Sequence, residues 1–72
     1  MQDTKAFQKK VGAKVKKIRV AKRIRLVDLS YDLDLTKQAV NNIEAGRKNI
    51  TLGTILKLSN ALEIEPWELL DV

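Results

Sequence analysis

Apolar residues recur along this chain mostly at helical spacing. From Phe7, the residues Val11, Val15 and Ile18 follow at intervals of four, four and three, one stripe of an amphipathic helix predicted over about residues 4–22. Leu26, Leu29 and Leu33 repeat at three and four. Val27, Leu29, Tyr31 and Leu33 also alternate as a strand would, and the helical neighbours decide for a short helix over 27–33. Val40 and Ile43 mark the buried side of a third helix, 36–45, for which Thr36 is a good N-cap. Leu52, Ile55, Leu58 and Leu62 form the stripe of a fourth helix over 51–62, with Thr51 as its cap and Gly53 as a weak point. Pro66 suits the first turn of a fifth helix, "PWELL", over 66–71.

The connections are short. "KRIR" at 22–25 links the first two helices. Asp34 follows the second, and aspartate enters the left-handed turn region more readily than most non-glycine residues. Gly46 stops the third helix, and "RKN" at 47–49 makes a polar, basic loop. With no internal repeat or low-complexity linker, residues 1–72 read as a single all-α domain of five helices.

Composition narrows the sources of stability. The only aromatics are Phe7, Tyr31 and Trp67, so the core is expected to be aliphatic. Without cysteine there is no disulfide framework and no cysteine-based zinc site, which leaves packing or dimerisation to hold the fold. The opening "MQDTKAFQKKVGAK" lacks the apolar segment of a signal peptide, and no stretch approaches the roughly 18 apolar residues of a membrane span. A soluble, cytoplasmic protein is the expectation. Asn49-Ile50-Thr51 matches a glycosylation sequon, which has no use without a secretory route.

Charge changes the picture further, because the net +5 is unevenly spread. Residues 1–25 carry ten Lys/Arg against Asp3 alone, whereas residues 50–72 carry Lys57 against four acidic residues. The basic end is a candidate contact for a polyanion, although a lysine-rich solvated helix face would look the same.

Two short helices joined by about three residues form a helix-turn-helix, whose second helix can enter the DNA major groove. On a helical wheel Gln38, Asn41, Asn42 and Ala45 fall opposite Val40 and Ile43. An outward amide such as Gln38 or Asn42 can pair bidentately with adenine N6 and N7, and Lys37 can donate to guanine or to a phosphate. Solvated amides on a surface helix are the alternative explanation of that face.

From about residue 11 to 70 the chain resembles the phage repressor and Cro-type (XRE-like) helix-turn-helix regulators. The resemblance lies in ordered landmarks: "VKKIR" at 15–19, "LSYDLDLT" at 29–36, "VNNIEAGRKN" at 40–49 and "TLGTILKLSNALEIEPWELL" at 51–70. It implies a lambda-repressor-like five-helix domain that binds double-stranded DNA as a homodimer. It places Lys37, Gln38 and Asn42 at base-reading positions, with Asn41 as a further contact. Thr36, Arg47, Lys48 and Asn49 match positions that touch the DNA backbone. Arg19 and Glu44 match a structural ion pair between the first helix and the end of the recognition helix. Trp67, Leu69 and Leu70 match the region through which the family pairs, while core capping is the other use for such residues. The segment from Gly46 to Leu52 is similar to that of restriction-modification controller proteins, and prophage regulators share much of it.

Three departures stand out. Asp34 replaces the usual turn glycine, Arg25-Leu26 replaces a capping hydroxyl and a phosphate-binding glutamine, and Glu63 replaces a helix-ending glycine. Leu26 cannot make the polar phosphate contact, so Arg23 and Arg25 are expected to supply it electrostatically.

The function expected is therefore sequence-specific transcriptional regulation on a pseudo-palindromic operator. An antitoxin or another protein-interaction module on the same fold is the alternative; the toxin-binding extension such proteins often carry is not evident. Catalysis is not expected, since histidine, cysteine, a Gly-rich phosphate loop and metal-ligand spacing are all lacking. Nothing points to a cofactor, a metal or a small-molecule ligand.

Overall fold

In the computed structural model, which describes residues 3–72, Asp3 opens the first helix by accepting a hydrogen bond from the Lys5 N–H at 3.0 Å. Five helices follow: α1 Thr4–Ala21, α2 Leu26–Asp32, α3 Lys37–Glu44, α4 Leu52–Leu62 and α5 Pro66–Leu70. Each boundary lies within a residue of its expected place, and no strand occurs among the described residues. Threonine caps the two helices it was expected to cap. Thr36 accepts from the Ala39 N–H at 3.0 Å, and Thr51 from the Thr54 N–H at 3.1 Å. At α5 the Glu65 and Glu68 side chains bond each other's backbone N–H groups across Pro66, a reciprocal capping box.

One aliphatic core joins the elements. Val11 and Val15 of α1 meet Leu29 and Leu33 from α2 and its end, Val40 and Ile43 of α3, Ile55, Leu58 and Leu62 of α4, and Leu69 of α5. Ile18, Ile24, Leu26, Ile50, Ala61 and Ile64 pack partly buried around it. Leu26 thus has a packing role where the family resemblance led one to look for a phosphate ligand. α1 lies against α3, α4 and α5, and α2 lies against α3 and α4, so α3 is supported from behind by both preceding helices.

Leu52 departs from expectation. It continues the α4 stripe on paper, yet it is 84% exposed. As the first residue of α4 its side chain leans back over the preceding turn, beyond the end of the core. Phe7, at the matching end of the α1 stripe, is only partly covered, at 38% exposed.

The ends of the first four helices share one device. The N–H groups of Ile24, Leu35, Arg47 and Ile64 reach back to the carbonyls of Arg19, Ser30, Asn42 and Ser59 at 3.1, 2.9, 2.9 and 2.9 Å. Before each donor stands a residue with positive φ: Arg23 at 59°, Asp34 at 56°, Gly46 at 75° and Glu63 at 58°. These are Schellman closures, which satisfy carbonyls a helix end otherwise leaves open. Only one of the four uses glycine. No helix among the described residues is long and apolar enough to cross a membrane.

Candidate nucleic-acid interface

α3 is eight residues long, too short to be stable alone, so its position depends on what holds its back and its ends. Val40 and Ile43 are buried against the core, and Thr36 caps the start. At the other end Glu44 turns inward. Arg19 Nε donates to Glu44 Oε2 at 2.7 Å and Arg19 Nη2 donates to Oε1 at 3.2 Å, while Arg19 Nη1 donates to the Ile24 carbonyl at 2.9 Å. The two side chains are only 12% and 4% exposed. One guanidinium therefore fastens α1, the loop before α2, and the end of α3, and no buried side-chain polar atom among the described residues lacks a partner.

Gly12 explains how close α1 comes to α3. A Cβ there would strike the Ile43 carbonyl oxygen and would lie 2.8 Å from that of Glu44. Gly46 repeats the arrangement from the other side, since a Cβ on it would lie 2.6 Å from the Lys9 Cα. No periodic pattern marks Gly12 in the sequence, and none marks Lys9 as a neighbour of the basic loop after α3.

The outward face carries Lys37, Gln38 and Asn41, all exposed, as the helical wheel requires. Asn42 differs from expectation. It is half-buried, and its Oδ1 accepts from Gln38 Nε2 at 3.3 Å and from Arg47 Nε at 3.2 Å. The oxygen that bidentate pairing with adenine would require is already occupied. Ala45 is exposed at the end of the helix.

Around this face stand the candidate phosphate ligands. Arg23, Arg25, Thr36, Arg47, Lys48 and Asn49 are exposed. Lys9 stands beside Gly46, which brings the basic first helix to the same end of α3 as Arg47 and Lys48. Arg25 is partly engaged: its Nε and Nη2 donate to the two Asp28 carboxylate oxygens at 3.0 and 3.3 Å. The hydrogen bond to Asp28, then its charge, raises the Arg25 pKa, so the cation is permanent but partly neutralised toward a phosphate.

Trp67 is 64% exposed and Leu70 is also exposed, whereas Leu69 is fully buried in the protomer's own core. Leu69 therefore caps the core instead of facing a partner. Leu52, Leu56 and Val72 are further large apolar residues left exposed in this part of the chain. Phe7, Leu52 and Leu70 border an apolar groove of about 300 Å³ that also reaches Val11, Ile50 and Ile55.

Known proteins share this fold. The restriction-modification controller protein C.AhdI from Aeromonas hydrophila is 38% identical with a TM-score of 0.84, over 89% of this chain and 97% of that one. The controller protein C.Esp1396I, solved as a tetramer in complex with its natural 35 base-pair operator, is 28% identical with a TM-score of 0.79, over 89% and 88% of the two chains. The control protein C.BamHI of Bacillus amyloliquefaciens is 38% identical over 61 residues, which span 83% of this chain and 75% of that protein. The sequence profile of the helix-turn-helix family matches residues 15–69, from the middle of α1 to the core leucine of α5, and the chain belongs to that family.

Proposed function

We propose that this protein is a sequence-specific transcriptional regulator that binds double-stranded DNA as a homodimer, with α3 in the major groove of each half of a pseudo-palindromic operator. The observation that carries the reading is the division of labour on α3. Val40, Ile43 and Glu44 hold the helix from behind, while Lys37, Gln38 and Asn41 point to solvent without structural duties in the core. Bound in a groove, such a face supplies donors and acceptors for base edges.

Arg23, Thr36, Arg47, Lys48 and Asn49, joined by Lys9, would set the register through phosphates, with Arg25 weakened by Asp28. The exposed Trp67, Leu70, Leu52 and Leu56 are apolar surface that a second copy would cover, leaving Leu69 to the core. The likeness to controller proteins, one of them solved on its operator as a tetramer, supports the same reading.

Selection of bound duplexes from a random pool tests it. A pseudo-palindrome with half-sites about 34–36 Å apart is the expected product. Weak binding with no enriched sequence would refute it.

A further inference from the structure

Three side chains at the end of the candidate reading face form a chain of hydrogen bonds that controls which way an amide points. Arg47 is its fixed end. The turn at Gly46 returns the Arg47 N–H to the Asn42 carbonyl at 2.9 Å, which folds the arginine back over the end of α3. Its Nε then donates to Asn42 Oδ1 at 3.2 Å. A guanidinium can only donate, so the Asn42 atom facing it must be the oxygen. The same oxygen accepts from Gln38 Nε2 at 3.3 Å, one turn earlier on the helix. The orientation of the Gln38 amide is thus dictated from Arg47 through Asn42: its nitrogen faces Asn42, and its oxygen faces away.

We infer that Asn42 is a positioning residue that makes Gln38 a reader of adenine in preference to guanine. The inference rests on α3 reading bases in the major groove, as proposed above. With one N–H committed to Asn42, Gln38 retains one N–H and Oε1, a single donor beside a single acceptor. Adenine offers the complement, N7 as acceptor and N6–H as donor. Guanine offers two acceptors, N7 and O6, and matching both would take the two N–H groups that an unrestrained glutamine has and the held Gln38 lacks. The Nη groups of Arg47 remain available for a phosphate, so the residue that anchors the amide also marks the edge of the groove.

The test uses the intact protein, the duplex it selects, and the same duplex with each base pair replaced singly. Affinities are measured for the wild type, Gln38→Ala, Asn42→Ala and Asn42→Asp, with thermal unfolding of each. At the base pair whose preference Gln38→Ala abolishes, the wild type should favour adenine over guanine by roughly tenfold. Asn42→Ala should lose most of that ratio through improved binding of guanine, at an unchanged unfolding temperature. Asn42→Asp, which keeps the acceptor and loses the amide donors, should retain the ratio even as its added negative charge weakens binding to every duplex. Should Asn42→Ala unfold, Asn42→Met removes the acceptor while keeping the stem. Full retention of the ratio without the acceptor, or a preference for guanine in the wild type, would overturn the inference alone. So would a change at a different base pair in both Asn42 variants, because Asn42 would then be reading a base itself. No selected duplex, or no effect of Gln38→Ala at any base pair, would overturn the reading of α3 and this inference with it.

Discussion

Glu44 illustrates how much one residue controls here, because its carboxylate is nearly inaccessible and both its oxygens are bonded to Arg19. Glu44→Ala would leave the largely buried Arg19 cation without its counter-ion, held only by the Ile24 carbonyl, and the expected loss is about 3 kcal/mol, which lowers the unfolding temperature by roughly 15 °C in a domain of this size. Replacing both partners, Arg19→Met with Glu44→Leu, should recover most of that stability in the same thermal scan. Gly12→Ala should cost about 2 kcal/mol, since the new methyl group meets backbone carbonyls that cannot swing aside. On the solvent side the expected effects are on binding and not on folding. Lys48→Ala should weaken every duplex alike and reduce the slope of log affinity against log salt by about one unit, measured by titration at several salt concentrations. Single residues were unevenly legible in the sequence. The Arg19–Glu44 pair was available only through the family resemblance, since partners 25 positions apart leave no periodic trace. Gly12 carried no mark because close approach of two helices is a property of their packing. The engagement of Asn42 was hidden because it depends on where the chain turns after Gly46.

Among the elements, the helix ends hold the least expected feature. Arg23, Asp34 and Glu63 adopt the left-handed conformation that Gly46 adopts without a side-chain penalty. Glu63→Gly should therefore stabilise the protein by about 1 kcal/mol, because the relieved backbone strain exceeds the added freedom of the unfolded chain. Asp34→Gly should gain less, roughly 0.5 kcal/mol, since aspartate tolerates this region better than glutamate does. Denaturant unfolding of the two variants checks the ranking; equal gains, or a loss in either variant, would contradict it. The helices themselves were legible because their stripes are regular and threonine, proline or glycine punctuates three of them. Leu52 was misjudged for a physical reason. Periodicity treats a helix as endless, whereas Leu52, the first residue of α4, stands beyond the end of the core that Ile55 reaches.

At the scale of the molecule, a body of 35 × 23 × 21 Å carries the exposed face of α3 and an apolar groove bordered by Phe7, Leu52 and Leu70. Leu52→Asp tests whether that groove joins two copies. A carboxylate in the first turn of α4 suits the helix dipole, so folding should persist while sedimentation changes from dimer to monomer and operator binding becomes weaker and less cooperative. An unaltered dimer would move the interface elsewhere. The segregation of duties on α3 has a wider consequence. Since the scaffold grips that helix through Val40, Ile43, Glu44, its cap and the closure at Gly46, positions 37, 38 and 41 are free to vary without a stability cost, as long as the Arg47–Asn42 latch is kept or exchanged as a unit. A lineage could thus acquire a new address on the genome by a few surface substitutions, and two such proteins in one cell could diverge into mutually deaf circuits while remaining the same fold.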